Sequence, residues 1–166
     1  MIYLTDYISE ADLEKQILGN KLKHFDDKNV DKKEIEVLLV WHFVVNEESL
    51  KEFPNLKAIV RYGVGFDNID LNYCKSNNIK VFNNPDYGVD EVSDTALAMI
   101  MNFSRCLGFY NNKSRSLVVE PNNRNPWQEN TNINALRLKS MTLGLVGAGR
   151  IGSSLALKMK NIITDS

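Results

Sequence analysis

Two short glycine-bearing stretches hold the residues best suited to chemistry. The first is "GAGRIG", which sets Gly147, Gly149 and Gly152 in the spacing G-x-G-x-x-G. It follows an apolar run at 143–146 and opens a segment with Leu155, Leu157 and Met159 at helical spacing. A strand, a tight turn and a helix are therefore expected in that order. Gly147 then permits the turn, Gly149 lets a pyrophosphate approach the backbone, and Gly152 lets helix and strand pack closely. Amides at the helix start would face the phosphates. A glycine turn with no ligand is the plainer reading of the same residues. An acidic residue about 20 positions further on would bind ribose hydroxyls. Asp165, at the end of the strand-like "NIITD", is the candidate; a charged tail residue is its plainer reading.

The second stretch is "RYGVG", residues 61–65. Gly63, Val64 and Gly65 can present backbone N–H groups to an anion, and Arg61 can add a charge-assisted bond. A strand-to-helix turn that merely needs two glycines would look the same. His42 falls on a strand-end loop, where a lone histidine is more simply a hydrogen-bonded structural residue than a base. The two histidines and two cysteines are too scattered for metal-ligand spacing.

These stretches need elements to hold them. "MIYLTDY" reads as a buried strand. "SEADLEKQIL" reads as a helix capped by Ser9, with Leu13, Ile17 and Leu18 at helical spacing. "EVLLVWHFV" is an apolar run of strand length, "NEESLKEF" a short helix stopped by Pro54, and "LKAIVRY" a second buried strand. "LNYCKSNN" is a helix closing on Asn, and "IKVFN" another strand. This alternation predicts an α/β fold with a parallel sheet covered by helices on both faces. From Val89 the pattern becomes one long helix, "VDEVSDTALAMIMNFSRCLGFYNN". The Asn-rich stretch after it is expected to be a loop anchored by Trp127.

The totals exclude several classes. The chain has 166 residues, a formal net charge of -1 and 43% hydrophobic residues, enough for one domain and part of a second. Charges of both signs are interspersed, so neither nucleic acid nor an anionic membrane is an expected partner. No run approaches membrane-spanning length, and the N-terminus lacks the pattern of a secretion signal. Cys74 and Cys106 are expected to be free thiols in a reducing compartment, and a cytoplasmic location is expected.

Taken together, three segments carry a family resemblance: "VWHFVVNEESLKEFPNLKAIVRYGVGFDNIDL", "IKVFNNPDYGVDEVSDTALAMIMNFSR" and "LKSMTLGLVGAGRIGSSLALKMK". The chain resembles the D-isomer-specific 2-hydroxyacid dehydrogenases, most nearly the branch with the C-terminal-binding proteins and D-3-phosphoglycerate dehydrogenase. The resemblance implies a flavodoxin-like substrate domain over residues 1–88. Residues 89–166 would then hold a connecting helix (89–105) and the first β-α unit of a Rossmann-type coenzyme domain.

The resemblance also implies that Arg61, Gly63, Val64 and Gly65 hold a substrate carboxylate and that Asn83 to Pro85 shape the cleft wall. It implies that Gly147, Gly149, Arg150, Ile151 and Gly152 hold NAD, with NADP open. The implied reaction is hydride transfer between the cofactor and a small 2-hydroxy or 2-oxo acid, in a homodimer. The family's catalytic Arg, Glu and His have no counterparts in residues 1–166, so a truncated chain, inactive alone, is expected. A non-enzymatic binding module of the C-terminal-binding protein type, or one half of a split dehydrogenase, are the other readings.

Overall fold

A computed structural model describes residues 1–8, 11–117, 122 and 135–163. The chain divides into two compact units, Met1–Tyr87 and Gly88–Ser166.

In the first unit, five strands form one parallel sheet. They are β1 (Ile2–Leu4), β2 (Leu22–His24), β3 (Val37–Val40), β4 (Ala58–Arg61) and β5 (Lys80–Phe82). Their order is β2-β1-β3-β4-β5, which is the flavodoxin-like arrangement. The register sets Leu4 against both His24 and Leu39, and Val40 against Arg61. Side chains alternate between faces along each strand. Leu38, Val40 and Ile59 therefore bury on one face with Phe53 and Cys74, while Leu4 and Leu39 bury on the other with Ala11. Each full burial of a Leu, Ile or Val contributes roughly 1.5–3 kcal/mol, so both faces hold the sheet.

Three helices connect the strands: α1 (Asp12–Leu18), α2 (Glu47–Leu50) and α3 (Leu71–Ser76). Asn46 opens α2 with a reciprocal cap. Its side chain accepts from Ser49 N at 2.9 Å, and Ser49 Oγ accepts from Asn46 N at 3.0 Å. Asp70 caps α3 by accepting from Tyr73 N at 2.9 Å. Asn78, at φ 58°, turns the chain out of α3 into β5.

The structure corrects several expectations. In α1, Leu13 and Ile17 are exposed, and Ala11 makes the buried contact instead. The expected cap Ser9 lies outside the described residues. The apolar run from Glu36 is a strand only to Val40, and Trp41 to Val44 form a loop. α2 ends at Leu50, well before Pro54. β2 was not expected at all.

The second unit contains α4 (Val89–Arg105), α5 (Leu107–Ser116) and α6 (Arg150–Ile163). The expected single long helix is broken at Cys106, whose left-handed φ of 55° ends α4 and starts α5. Most of the Asn-rich loop, Trp127 included, lies outside the described residues. α4 packs on α6 through a polar seam. Ser93 Oγ lies 3.0 Å from Ser154 Oγ, and Lys158 Nζ donates to Ser93 Oγ at 2.7 Å and Asp94 Oδ1 at 2.7 Å. Leu155 and Met159 bury, whereas Leu157 points outward, against expectation. Residues 161–163 continue α6 rather than forming a strand.

No helix among the described residues is long and apolar enough to cross a membrane. Cys74 and Cys106 are both free.

Candidate functional site

The first unit's candidate site is built at the carboxyl end of β4. Arg61 is that strand's last residue, and residues 62–65 leave the sheet as a loop. Three hydrogen bonds fix the loop's orientation. Gly63 N donates back to Arg61 O at 3.0 Å, Asn84 N donates to Gly63 O at 3.1 Å, and Asn83 Nδ2 donates to Val64 O at 2.8 Å. A trans peptide points its N–H opposite to its carbonyl, and no cis bond occurs among the described residues. With the carbonyls of Gly63 and Val64 turned toward Asn84 and Asn83, the amides of Val64 and Gly65 face the other way. Among the described residues, neither amide donates to a backbone carbonyl.

Arg61 lies across this loop. Its Nη1 donates to Tyr62 O, and its guanidinium fills the space that a Cβ on Gly63 would need. Gly63 also adopts φ 139°, where other residues are strained. Arg61 Nε is buried with no partner. A cationic donor with an unmet hydrogen bond, on the same loop as two outward amides, could hold a carboxylate.

One expectation changes in detail. The Gly63 amide is already committed to Arg61 O, so Gly63 contributes its conformation and its lack of a side chain, not an N–H for a ligand.

Tyr62 anchors the back of the loop. Its hydroxyl donates to Glu14 Oε1 at 2.7 Å. Burial, and then the Glu14 carboxylate, push the phenol well above its ordinary range. His42 sits in the loop after β3, its ring against Trp41 at 4.2 Å between centroids. His24 lies elsewhere, at the end of β2, with Nδ1 3.0 Å from Asp26 Oδ1. Sequence reasoning missed the Glu14 partner of Tyr62, for which a tyrosine next to the glycines was the only signal. It also missed how Asn83 and Asn84 orient the amides. The family resemblance implies for Asn83 only a place in the cleft wall.

The second unit's candidate site is the turn into α6. Gly147 takes φ 94°. A Cβ on Gly152 would collide with the Gly147 carbonyl, so only glycine fits there, whereas the Cβ directions of Gly147 and Gly149 are open. Ser153 N makes the first helical bond, to Gly149 O at 2.8 Å. The amides of Ile151 and Gly152 precede it, in the first turn, where N–H groups have no intrahelical partner. A helix of this length adds about half a positive charge there.

The expected strand at 143–146 is not a ladder strand. It pairs with no backbone among the described residues, and Val146 is fully exposed. Between that segment and α6 lies a groove of about 310 Å³ with Leu143, Leu145, Ala156 and Met159 in its lining. Asp165 lies outside the described residues. No group of three His, Cys, Asp or Glu among them could hold a metal ion.

The family model described as "D-isomer specific 2-hydroxyacid dehydrogenase, catalytic domain" matches residues 4–156. The chain belongs to the D-isomer specific 2-hydroxyacid dehydrogenase family. A glyoxylate/hydroxypyruvate reductase A of Arabidopsis thaliana is 30% identical over 107 residues, which make up 64% of this chain and 32% of the relative. C-terminal-binding protein 1 of Caenorhabditis elegans is 28% identical over 123 residues, 74% of this chain and 17% of the relative.

Among solved structures, a D-lactate dehydrogenase from Aquifex aeolicus, complexed with NAD and lactic acid, superimposes with a TM-score of 0.79 at 28% identity. The match covers 98% of this chain and 49% of that one. A Sinorhizobium meliloti glyoxylate/hydroxypyruvate reductase, TM-score 0.75 at 24% identity, shares the fold. The chain thus spans a third or less of these curated relatives and about half of these solved chains.

Proposed function

We propose that residues 1–88 form the substrate-binding domain of an NAD-dependent 2-hydroxyacid dehydrogenase, and that residues 89–166 hold the connecting helix and the first β-α unit of its coenzyme domain. The observation that carries this reading is the pairing, in one chain, of the Arg61 cradle with the Gly152 turn. One suits a carboxylate; the other has the backbone of a dinucleotide turn. The substrate class is a small 2-hydroxy or 2-oxo acid, and NADP is an alternative to NAD.

The residues present fit the cofactor where they can be tested. The close approach of Gly152 to Gly147 brings the start of α6 under the turn, and the open Cβ direction at Gly149 leaves room for a pyrophosphate against the backbone. Arg150, Ile151 and Gly152 would meet it through their amides. When bound, the nicotinamide supplies or accepts the hydride. This chain's own part is binding and orientation. The Val64 and Gly65 amides and Arg61 would hold the substrate carboxylate and fix which face of the 2-carbon is presented. No residue in 1–166 is assigned the proton transfer. His42 is held against Trp41, and His24 lies at the far strand of the sheet. The 166-residue chain is accordingly expected to bind NAD weakly and to turn over nothing alone.

The test is an NADH-oxidation assay with pyruvate, glyoxylate and hydroxypyruvate, run beside an amide-resolved NMR titration with NAD. The reading expects no turnover, and shifts centred on residues 147–152. Shifts elsewhere, or turnover by this chain, would overturn it. Apolar peptide binding without any response to NAD or 2-oxo acids would favour a non-enzymatic module.

A further inference from the structure

The sheet order reverses between β1 and β3, and in such sheets the crevice at that point is where ligands usually sit. Here a side chain of the protein itself occupies it. Asp6 lies two residues past the end of β1. Its Oδ2 accepts from Trp41 N at 2.8 Å and from the Thr5 hydroxyl at 2.7 Å. The amides of Phe43 and His42 also help to lower its pKa. Successive backbone N–H groups converging on one anion form a nest, the same device that binds free carboxylates and phosphates. The opposite side of the loop is held too. Asn68 Nδ2 donates to Phe43 O at 2.8 Å and to Trp41 O at 3.3 Å. Trp41 thus has its amide on Asp6, and Trp41 and Phe43 have their carbonyls on Asn68, which lies three residues beyond Gly65.

The geometry points to Asp6 as a positioning residue: an internal anion that seats in the amide nest of residues 41–43 and fixes that loop, through Asn68, beside the carboxylate cradle. The inference rests on the reading of residues 61–65 as that cradle. Asp6 touches no substrate in this account. It sets the loop that carries Trp41 and His42, and Val40 of the same strand accepts the Tyr62 amide at 2.8 Å. Loss of the anion would free the Trp41 amide and loosen the loop from one side, while the core residues Leu4 and Leu39 stay in place.

Chemical rescue separates this role from a merely structural one. The experiment uses the full 166-residue chain in a Trp127→Phe background, which leaves Trp41 as its one tryptophan. Asp6→Ala should shift the amide resonances of residues 41–43, speed their hydrogen exchange and raise acrylamide quenching of Trp41. Oxalate, the probe for the cradle, should bind about three- to tenfold more weakly. Formate should reverse these changes, and chloride at equal ionic strength should not.

If formate restores nothing in a variant that remains folded by circular dichroism, Asp6 is not acting as a seated anion and the inference fails. It fails equally if the wild-type amides of residues 41–43 exchange without protection. If Asp6→Ala does not fold, Asp6→Asn carries the test: it keeps the size and one acceptor oxygen, so partial shifts of the same amides support the inference and unchanged ones overturn it. Absence of oxalate binding to the wild type would overturn the cradle reading instead, leaving amide protection and formate rescue to decide on Asp6.

Discussion

The Tyr62 hydroxyl and the Glu14 carboxylate meet at 2.7 Å although 48 positions separate them. The bond ties the loop of the proposed carboxylate cradle to α1, on the other side of the sheet from α2. Tyr62→Phe removes the donor and leaves the Glu14 oxygen to find water. The expected cost is about 0.5–1.5 kcal/mol of unfolding free energy, read from urea denaturation. Because burial and Glu14 hold this phenol high, alkaline difference spectroscopy should show a late-ionising tyrosine that disappears in Tyr62→Phe. Ionisation of Tyr62 in the ordinary tyrosine range would contradict the contact.

Two glycines of the α6 turn make a matched pair. A Cβ on Gly152 meets the backbone of Gly147, whereas one on Gly149 meets nothing. Gly152→Ala must therefore displace the turn, and a loss of about 1–3 kcal/mol in stability is expected. Gly149→Ala should leave stability within about 0.5 kcal/mol of wild type. It should nonetheless abolish the NAD-dependent shifts, since its methyl would stand where the pyrophosphate approaches. Thermal unfolding with the NAD titration reads both. A stable, NAD-responsive Gly149→Ala would remove that residue from the site.

Asp6 gives acid dependence with a definite sign. Burial raises its pKa, but the hydrogen bonds from Thr5 and from the amides of Trp41, Phe43 and His42 outweigh it, so the net shift is downward. A carboxylate whose folded pKa is depressed contributes stability that is present above its unfolded value, near 3.9, and lost as pH falls through the folded value. The denaturant midpoint of the wild type should drop across that window more steeply than that of Asp6→Asn. Parallel profiles would contradict the assignment.

Lys158 gives the opposite sign. Hydrogen bonds to Asp94 and Asp90 outweigh desolvation and raise its pKa. Its contribution is present below the unfolded value, about 10.4, and is lost as pH rises through the folded one. Lys158→Met should flatten the alkaline end of the stability profile and should not affect oxalate binding in the first unit.

Much of this was legible in the residues, and the exceptions have causes. The strands β1, β3, β4 and β5 announce themselves by apolar runs, and the glycine spacing at 147–152 locates the turn before α6. β2 does not, because "LKH" is three residues with a lysine at its centre and takes its strand state from β1 alongside. The apolar run through Trp41 and Phe43 looks like more strand, but the amides there turn aside to Asp6, a tertiary pairing invisible in local pattern. The break at Cys106 has no glycine or proline to mark it. In the 61–65 loop, residue types suggest Arg61, Val64 and Gly65 as anion-binding candidates. That the Gly63 amide is already used depends on one backbone bond, to Arg61 O, which no sequence displays.

The most direct measurement is an amide-resolved NMR titration of the 166-residue chain with oxalate, in wild type and in Arg61→Gln. The account predicts saturable shifts of the Val64 and Gly65 amides in the wild type, little movement of the Gly63 amide, and binding weakened about tenfold or more in Arg61→Gln. No response at Val64 and Gly65, or equal binding by the variant, would contradict the carboxylate cradle and with it the proposed function.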